Sequence, residues 1–398
     1  MTTNKYNYYF YLSLVFLVFI LFLNTYFSLS ISYKEALNVF INNSVLSILT
    51  KSFLYVFGQN DLALRLPFIL LYAMSVILMY KITEDYFKYE KDRLISIIIF
   101  MLLPGVLSAS LLVNSSILVI FCTLLYLYYY KKYDKHSYML LLLFLFVDNS
   151  FAILYLAVFF HSFKKNDFKI KYFSAILFTI SLFIYGFSTD GKPKGYLVDT
   201  FGIYATIFSP ALFLYFLYSI YRAGIKKEYS LNWYISVVAL VLSFAFSFRQ
   251  RVFIEDFAPY VVISLPLTIK TFLHAYRVRL KEYRKFYFSL AVFTGILLFI
   301  NIALTFVNKP LYLYLSNPTK HFAFEYHFAK ELANKLKKLD INEISSNDKE
   351  LLLRLKFYDI KTGQKYYLST KPINDFDDII NIDSNGKLIY KIYVKKQE

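Results

Sequence analysis

Long runs of apolar residues at 12–22, 68–80, 94–113 and 286–307 recur along the chain. Each belongs to a window near the roughly 20 residues that cross about 30 Å of hydrocarbon. Shorter runs lie between them, and the spacing predicts about eleven transmembrane helices. Their centres fall near Phe16, Leu71, Met101, Cys122, Leu143, Leu156, Leu177, Leu214, Val238, Val262 and Leu297. The pair flanking Asp148-Asn149-Ser150 is the tightest, with two short spans nearly touching. Residues 6–29 are too long and aromatic for a good signal peptide and lack a small-residue cleavage site, so they read as a retained first helix.

The polar segments between spans are of two kinds. One set is basic: Lys88, Lys91 and Arg93; Lys131, Lys132 and Lys135; Lys164, Lys165, Lys169 and Lys171; Arg222, Lys226 and Lys227; Arg277, Arg279, Lys281, Arg284 and Lys285. These alternate with cation-poor loops, as the positive-inside rule predicts for cytoplasmic and external faces. The N-terminus is then cytoplasmic, and everything after residue 307 is external. Five loops face outward: 30–64, the tight turns 114–116 and 148–150, 188–208, and 247–259.

Residues 43–57 place Val45, Leu46, Ile48, Leu49, Phe53, Leu54 and Phe57 among Ser44, Ser47 and Lys51, which predicts an interfacial amphipathic helix. From residue 311 the chain changes character, with frequent charges of both signs as on a solvated surface. A helix is expected over 321–339, a strand over 341–345, a helix over 349–357 and a strand over 365–369. A hairpin pairing 379–382 with 388–394 follows from the Asn385-Gly386 turn. The expected fold class is thus an all-α polytopic membrane bundle, residues 1–308, with a small external α/β domain over 309–398.

Composition agrees with that reading. With 58% hydrophobic residues, the chain is more apolar than soluble domains are. Most of its net charge of +17 lies before the tail, with Lys and Arg clustered in short loops between spans, which makes it a topological signal and disfavours nucleic acid as a partner. The single cysteine, Cys122, lies in an apolar span, so no intramolecular disulfide can form and a buried thiol is expected. The sequence has no long internal repeat, no Gly-rich phosphate loop and no Cys-His metal spacing. The histidines at 136, 161, 274, 321 and 327 fall mostly in cytoplasmic or tail positions, against a histidine-built metal site at the external face.

Glu35, just beyond the first span, is the first candidate for chemistry. Partial desolvation raises a carboxylate's basicity, so Glu35 suits a general base or a group that orients the donor; the plainer reading is an interfacial residue paired with Lys34. Arg249 and Arg251 break the positive-inside trend, and their guanidinium forks match phosphate oxygens. Alternatively they pair with Glu255 and Asp256 and stitch the loop, or both hold if the acids position the arginines. Asp190, Lys192, Lys194 and Asp199 occupy a flexible segment that reads as a substrate lid or as solvated turn chemistry. Asp148 reads as a helix cap. Arg65 reads as a snorkelling residue, with contact to a donor phosphate as the alternative.

Phe57-Gly58-Gln59-Asn60-Asp61-Leu62-Ala63-Leu64-Arg65-Leu66-Pro67 resembles the Phe-Gly…Ala-Leu-Arg-Leu-Pro approach to the second span of GT-C superfamily glycosyltransferases. These include protein O-mannosyltransferases and the aminoarabinose transferase of lipid A. Leu103-Pro104-Gly105 and the aromatic fourth span followed by a basic loop fit the same layout. The resemblance covers mainly residues 1–133, and the later spans in topology alone. It implies a membrane glycosyltransferase that moves a sugar from a polyprenyl-phosphate donor to a lipid, glycan or protein acceptor at the external face. It further implies a bacterial inner-membrane location with a periplasmic tail, and allows a divalent metal as cofactor. By the resemblance, Glu35 matches the glutamate of the family's Asp-Glu pair and Lys34 replaces the aspartate, while Asn114-Ser115-Ser116 replaces a second aspartate. Arg249 and Arg251 would then stabilise the departing phosphate, with Arg65, Lys34, Glu255 and Asp256 as further binding residues. The alternative from another class is a non-catalytic scaffold or carrier for lipid-linked glycans.

Overall fold

The structure, a computed structural model, describes residues 2–186, 195–372, 376–384 and 386–397. Asp190, Lys192 and Lys194 lie outside these residues, as does Asn385. The chain forms two compact units: Met1–Val18 with Phe68–Thr305, and Phe19–Pro67 with Phe306–Glu398. The first loop therefore folds with the tail.

Helices are the regular elements of the first unit among its described residues. Among the described residues of the whole chain, four helices are long and apolar enough to cross a membrane, and up to eight spans result if each bent pair counts as one. The expected eleven are not reached on this measure. Around Leu143 the helix covers only Tyr138–Phe144, roughly 10 Å at 1.5 Å per residue, which is too short to span.

The bends have local causes. Glu90–Met101 and Pro104–Leu111 are bent by 51°, and Pro104 opens the second helix where its missing N–H is harmless. A Cβ on Gly105 would lie 2.5 Å from Cγ2 of Ile207, so glycine is what lets Pro104–Leu111 pack against Leu197–Phe208. That helix meets Pro210–Ile225 at 103° through Ser209, whose φ of 81° and ψ of 146° belong to a region used almost only by glycine. Cys122 is buried, as expected from its place in an apolar run.

In the second unit, the tail builds a four-stranded sheet from β1 (Glu343–Ser346), β2 (Lys361–Ser369), β3 (Asp378–Ser384) and β4 (Lys387–Lys396), ordered β1-β2-β4-β3. β1 and β2 are parallel, joined through the helix Lys349–Lys356, and β4 is antiparallel to both β2 and β3. The β3–β4 hairpin closes at Ser384↔Lys387, with Gly386 at φ 79°. The helix expected over 321–339 is shorter: a 3₁₀ turn at Phe324–Tyr326 precedes the α-helix Ala329–Lys338. Leu332, Leu336, Leu355, Leu368, Ile392 and Val394 form the core between helices and sheet.

Candidate functional site

The first-loop segment of the second unit opens with Ser32-Tyr33-Lys34-Glu35, a capping box. Ser32 Oγ accepts from the Glu35 N–H at 3.3 Å, and Glu35 Oε2 accepts from the Ser32 N–H at 2.9 Å. This starts the helix Tyr33–Phe40 and fixes the glutamate in its first turn. The helix Val45–Phe57 follows, capped by Ser44 and ended by Gly58 at φ 81°. Asn60 Oδ1 then accepts from the Ala63 N–H at 2.8 Å and caps the helix Asp61–Ile82. One turn into that helix, Arg65 lies on the same face as Asp61.

Arg65 is fully buried and sits at the centre of the cluster. Its Nη2 donates to Glu35 Oε2 at 2.8 Å and to the Ser30 carbonyl at 2.9 Å, and Nη1 lies 3.6 Å from Asp61 Oδ1. Only its Nε–H finds no partner among the described residues. Lys330 Nζ approaches Asp61 Oδ2 at 3.1 Å, and the Tyr358 hydroxyl donates to Asp61 Oδ1 at 2.8 Å. Glu35 and Asp61 thus face the buried Arg65 and the partly exposed Lys330, opposite charges that offset one another. Tyr358 also accepts from the Ile31 N–H at 3.0 Å, while Arg354 donates to the Ile31 carbonyl at 3.1 Å and to the Glu325 carbonyl. Burial lowers the Arg354 guanidinium below its ordinary range and raises the Tyr358 phenol well above its own.

Two expectations change here. Glu35 is 1% exposed and pairs with Arg65 while Lys34 is exposed, so the Glu35–Lys34 pair is not formed. Arg65 does not snorkel, because its guanidinium is enclosed by Glu35, Asp61 and backbone oxygen. Asp61, Lys330, Arg354 and Tyr358 were not singled out from sequence. The last three lie about 300 residues away in the chain, and the one local signal was the Ser-x-x-Glu cap at Ser32.

Arg249, Arg251, Glu255 and Asp256 belong to the first unit, the arginines on the connection between Leu231–Ser247 and Ile254–Val262 and the acids in the first turn of Ile254–Val262. Among the described residues none of the four forms an ion pair, so the arginines do not stitch the loop to its acids. Arg249, Arg251 and Glu255 are exposed and Asp256 is half-buried, with the charges of Asp148 and Glu255 acting on it. Arg251 lines an open cavity of about 400 Å³ together with Tyr196, Asp199, Thr200 and Thr206.

The cation-poor loops of this unit are tied to one another. The Tyr196 N–H donates to the Ser247 carbonyl at 2.8 Å, Ser116 Oγ to the Glu255 carbonyl at 3.1 Å, and Ser150 Oγ lies 3.4 Å from the Tyr260 hydroxyl. Asp148 accepts from the Ser150 N–H at 2.9 Å, an Asx turn before the helix Phe151–Lys165, and Asn114 does the same for Ser116. The basic loops are linked separately: Lys131 to Asp85, Lys165 to Asp134, and Arg277 to Asp92. Among the described residues no three His, Cys, Asp or Glu side chains gather where a metal ion could sit. The described residues therefore do not fit the metal the resemblance allows.

The long apolar helices mark an integral membrane protein, mostly helical, with a small C-terminal sheet. Residues 44–185 match the family described as dolichyl-phosphate-mannose-protein mannosyltransferase. The match takes in Asp61, Arg65 and Gly105; Glu35 precedes it, and Arg249 and Arg251 follow it. A search of curated proteins finds none that matches the chain.

Proposed function

We propose that the protein transfers a sugar from a polyprenyl-phosphate donor to an acceptor at the external face of the membrane. The observation that carries this reading is the family match over 44–185, whose Arg65-Leu66-Pro67 segment is held by buried ion pairs with Glu35 and Asp61. The mutual ties of the cation-poor loops support their assignment to one face, and with it a cytoplasmic N-terminus and an external domain over 309–398. A periplasmic tail in a bacterial inner membrane is the corresponding location.

In this mechanism the bond between the anomeric carbon and the phosphate oxygen breaks while the acceptor oxygen bonds to that carbon. The acceptor proton passes to a carboxylate, and polyprenyl phosphate leaves with the bonding pair. Arg251, exposed and free of ion pairs among the described residues, is the group to meet the growing charge on phosphate, with Arg249 beside it. Asp199 lines the same cavity as Arg251 and is the carboxylate assigned to take the acceptor proton. Glu35 is assigned to positioning, since Arg65 and the Ser32 N–H already claim its Oε2. Glu255 supplies negative charge near the fifth loop, Asp256 stands beside it with its carboxyl raised to about 7 by burial and then by the charges of Asp148 and Glu255, and Lys34, exposed, is free to meet lipid phosphate.

A second reading, a non-catalytic carrier of lipid-linked glycans, is favoured by the Lys34 position, where the resembling family has an aspartate. The purified full chain with labelled polyprenyl-phosphate sugar separates the two. Release of polyprenyl phosphate with labelled product supports the enzyme, while tight donor binding without turnover supports the carrier.

A further inference from the structure

Four helices of the first unit, Glu90–Met101, Pro210–Ile225, Leu265–Val278 and Lys281–Phe306, border a second cavity of about 780 Å³. Such a volume lies within the range of about 300–1,000 Å³ typical of ligand pockets. Its walls are almost wholly apolar, with Phe272, Ala291 and Gly295 among them. The fourth wall is loosely applied: along Lys281–Phe306 only Leu298 is buried. Left without a filling, the lining side chains would lose dispersion contacts on one side.

Two further features distinguish this cavity from a chance gap beside a helix. Tyr215 and Thr268 both line it, and the Tyr215 hydroxyl and Thr268 Oγ1 are buried with no hydrogen-bond partner among the described residues. Buried hydroxyls ordinarily have a partner, so the occupant should carry acceptors a short way along its length. At the basic-loop end, Arg222 follows the lining residue Tyr218 by one turn, and Arg279 follows Tyr276. The charges of both arginines reach the Tyr215 hydroxyl. Neither forms an ion pair among the described residues, whereas Arg277 is taken by Asp92 at 2.6 and 2.5 Å.

We propose that this cavity binds an anionic glycerophospholipid from the leaflet that faces the basic loops. Its acyl chains fill the apolar space, its ester carbonyls accept from Tyr215 and Thr268, and its phosphate rests between Arg222 and Arg279. The chemistry selects against two neighbours in the membrane. An isoprenoid phosphate has no carbonyl acceptors along its hydrocarbon chain, and a zwitterionic lipid brings no net charge to the arginines. A lipid seated here would pin Lys281–Phe306, the last helix before the tail, to the rest of the unit.

Native mass spectrometry of the delipidated full chain tests this, after exchange with phosphatidylglycerol, phosphatidylcholine or undecaprenyl phosphate. Phosphatidylglycerol should be retained over phosphatidylcholine by about fivefold per arginine, and Arg222→Gln with Arg279→Gln should abolish that preference. A Cβ at Gly295 meets nothing within 4 Å, so Gly295→Phe should direct its ring into the cavity and reduce the retained lipid. Equal retention of the two phospholipids by the wild type, or retention of undecaprenyl phosphate in place of phosphatidylglycerol, overturns the proposal. So does unchanged phosphatidylglycerol binding in Gly295→Phe. The wild-type comparison needs neither variant to fold.

Discussion

Arg65 donates to Glu35 at 2.8 Å with both side chains withdrawn from solvent. The pair joins the capping box at the start of Tyr33–Phe40 to the first turns of Asp61–Ile82, so it fixes the two ends of the first loop. Such a pair acts through what happens when one member is lost. Removing one partner leaves a buried charge, and that cost exceeds the net stabilisation of the intact pair.

Arg65→Met is therefore expected to destabilise the protein by roughly 3–5 kcal/mol. Glu35→Gln should cost less, because glutamine still accepts the Ser32 N–H. Denaturant unfolding of both single variants and the double variant measures the coupling. Additivity to within about 0.5 kcal/mol would mean that the two residues do not act as a pair.

Arg251 is expected to act on catalysis with little effect on folding, being exposed and free of ion pairs among the described residues. Arg251→Gln should lower kcat/KM by roughly 10²–10³-fold, the scale of losing one charge-stabilising donor, with unfolding unchanged. Asp199→Asn should lower kcat more than it raises KM. A kcat/KM equal to wild type in Arg251→Gln would remove this arginine from phosphate recognition.

Ser209 holds a left-handed backbone, and its buried hydroxyl has no partner among the described residues. Ser209→Gly relieves both conditions and is expected to stabilise the protein by about 1 kcal/mol. A lower unfolding midpoint for the glycine variant would show that the hydroxyl is needed.

His327 gives stability a pH dependence. Burial first, then the positive charges of Lys309 and His321, lower its pKa to about 3 from the ordinary 6.5. Its Nδ1 lies 2.9 Å from the Tyr312 hydroxyl. Between those two values the unfolded chain binds a proton that the folded chain does not, so stability falls as the pH drops through this window. The slope is at most about 1.4 kcal/mol per pH unit. His327→Gln should flatten it, as followed by unfolding at pH 7, 6 and 5 (about the upper part of the window). An identical slope in the variant would assign the dependence to other groups.

The tail was legible because its signals are local. Alternation gave the strands, Asn385-Gly386 gave the hairpin, and the apolar face of 43–57 gave the helix Val45–Phe57. The Glu35 environment was less so. Adjacent residues on a helix do not face each other, which is why Lys34 is no partner for Glu35. The true partner stands 30 positions on. Asp61's partner Tyr358 is 297 positions away, a separation that no sequence period encodes. Loop charge alternates with the crossings but cannot distinguish a straight helix from a pair bent by up to 103°, so the sequence count stands above the four to eight spans that helix length and composition mark among the described residues.

The most direct test of the central claim is sugar transfer by the purified full chain from a labelled polyprenyl-phosphate donor, with released polyprenyl phosphate and labelled product counted together. Stoichiometric appearance of both in the wild type, and a loss of roughly 10²-fold or more in Arg251→Gln, is the predicted result. Donor binding without release of either product would contradict the enzyme reading and leave the carrier in its place.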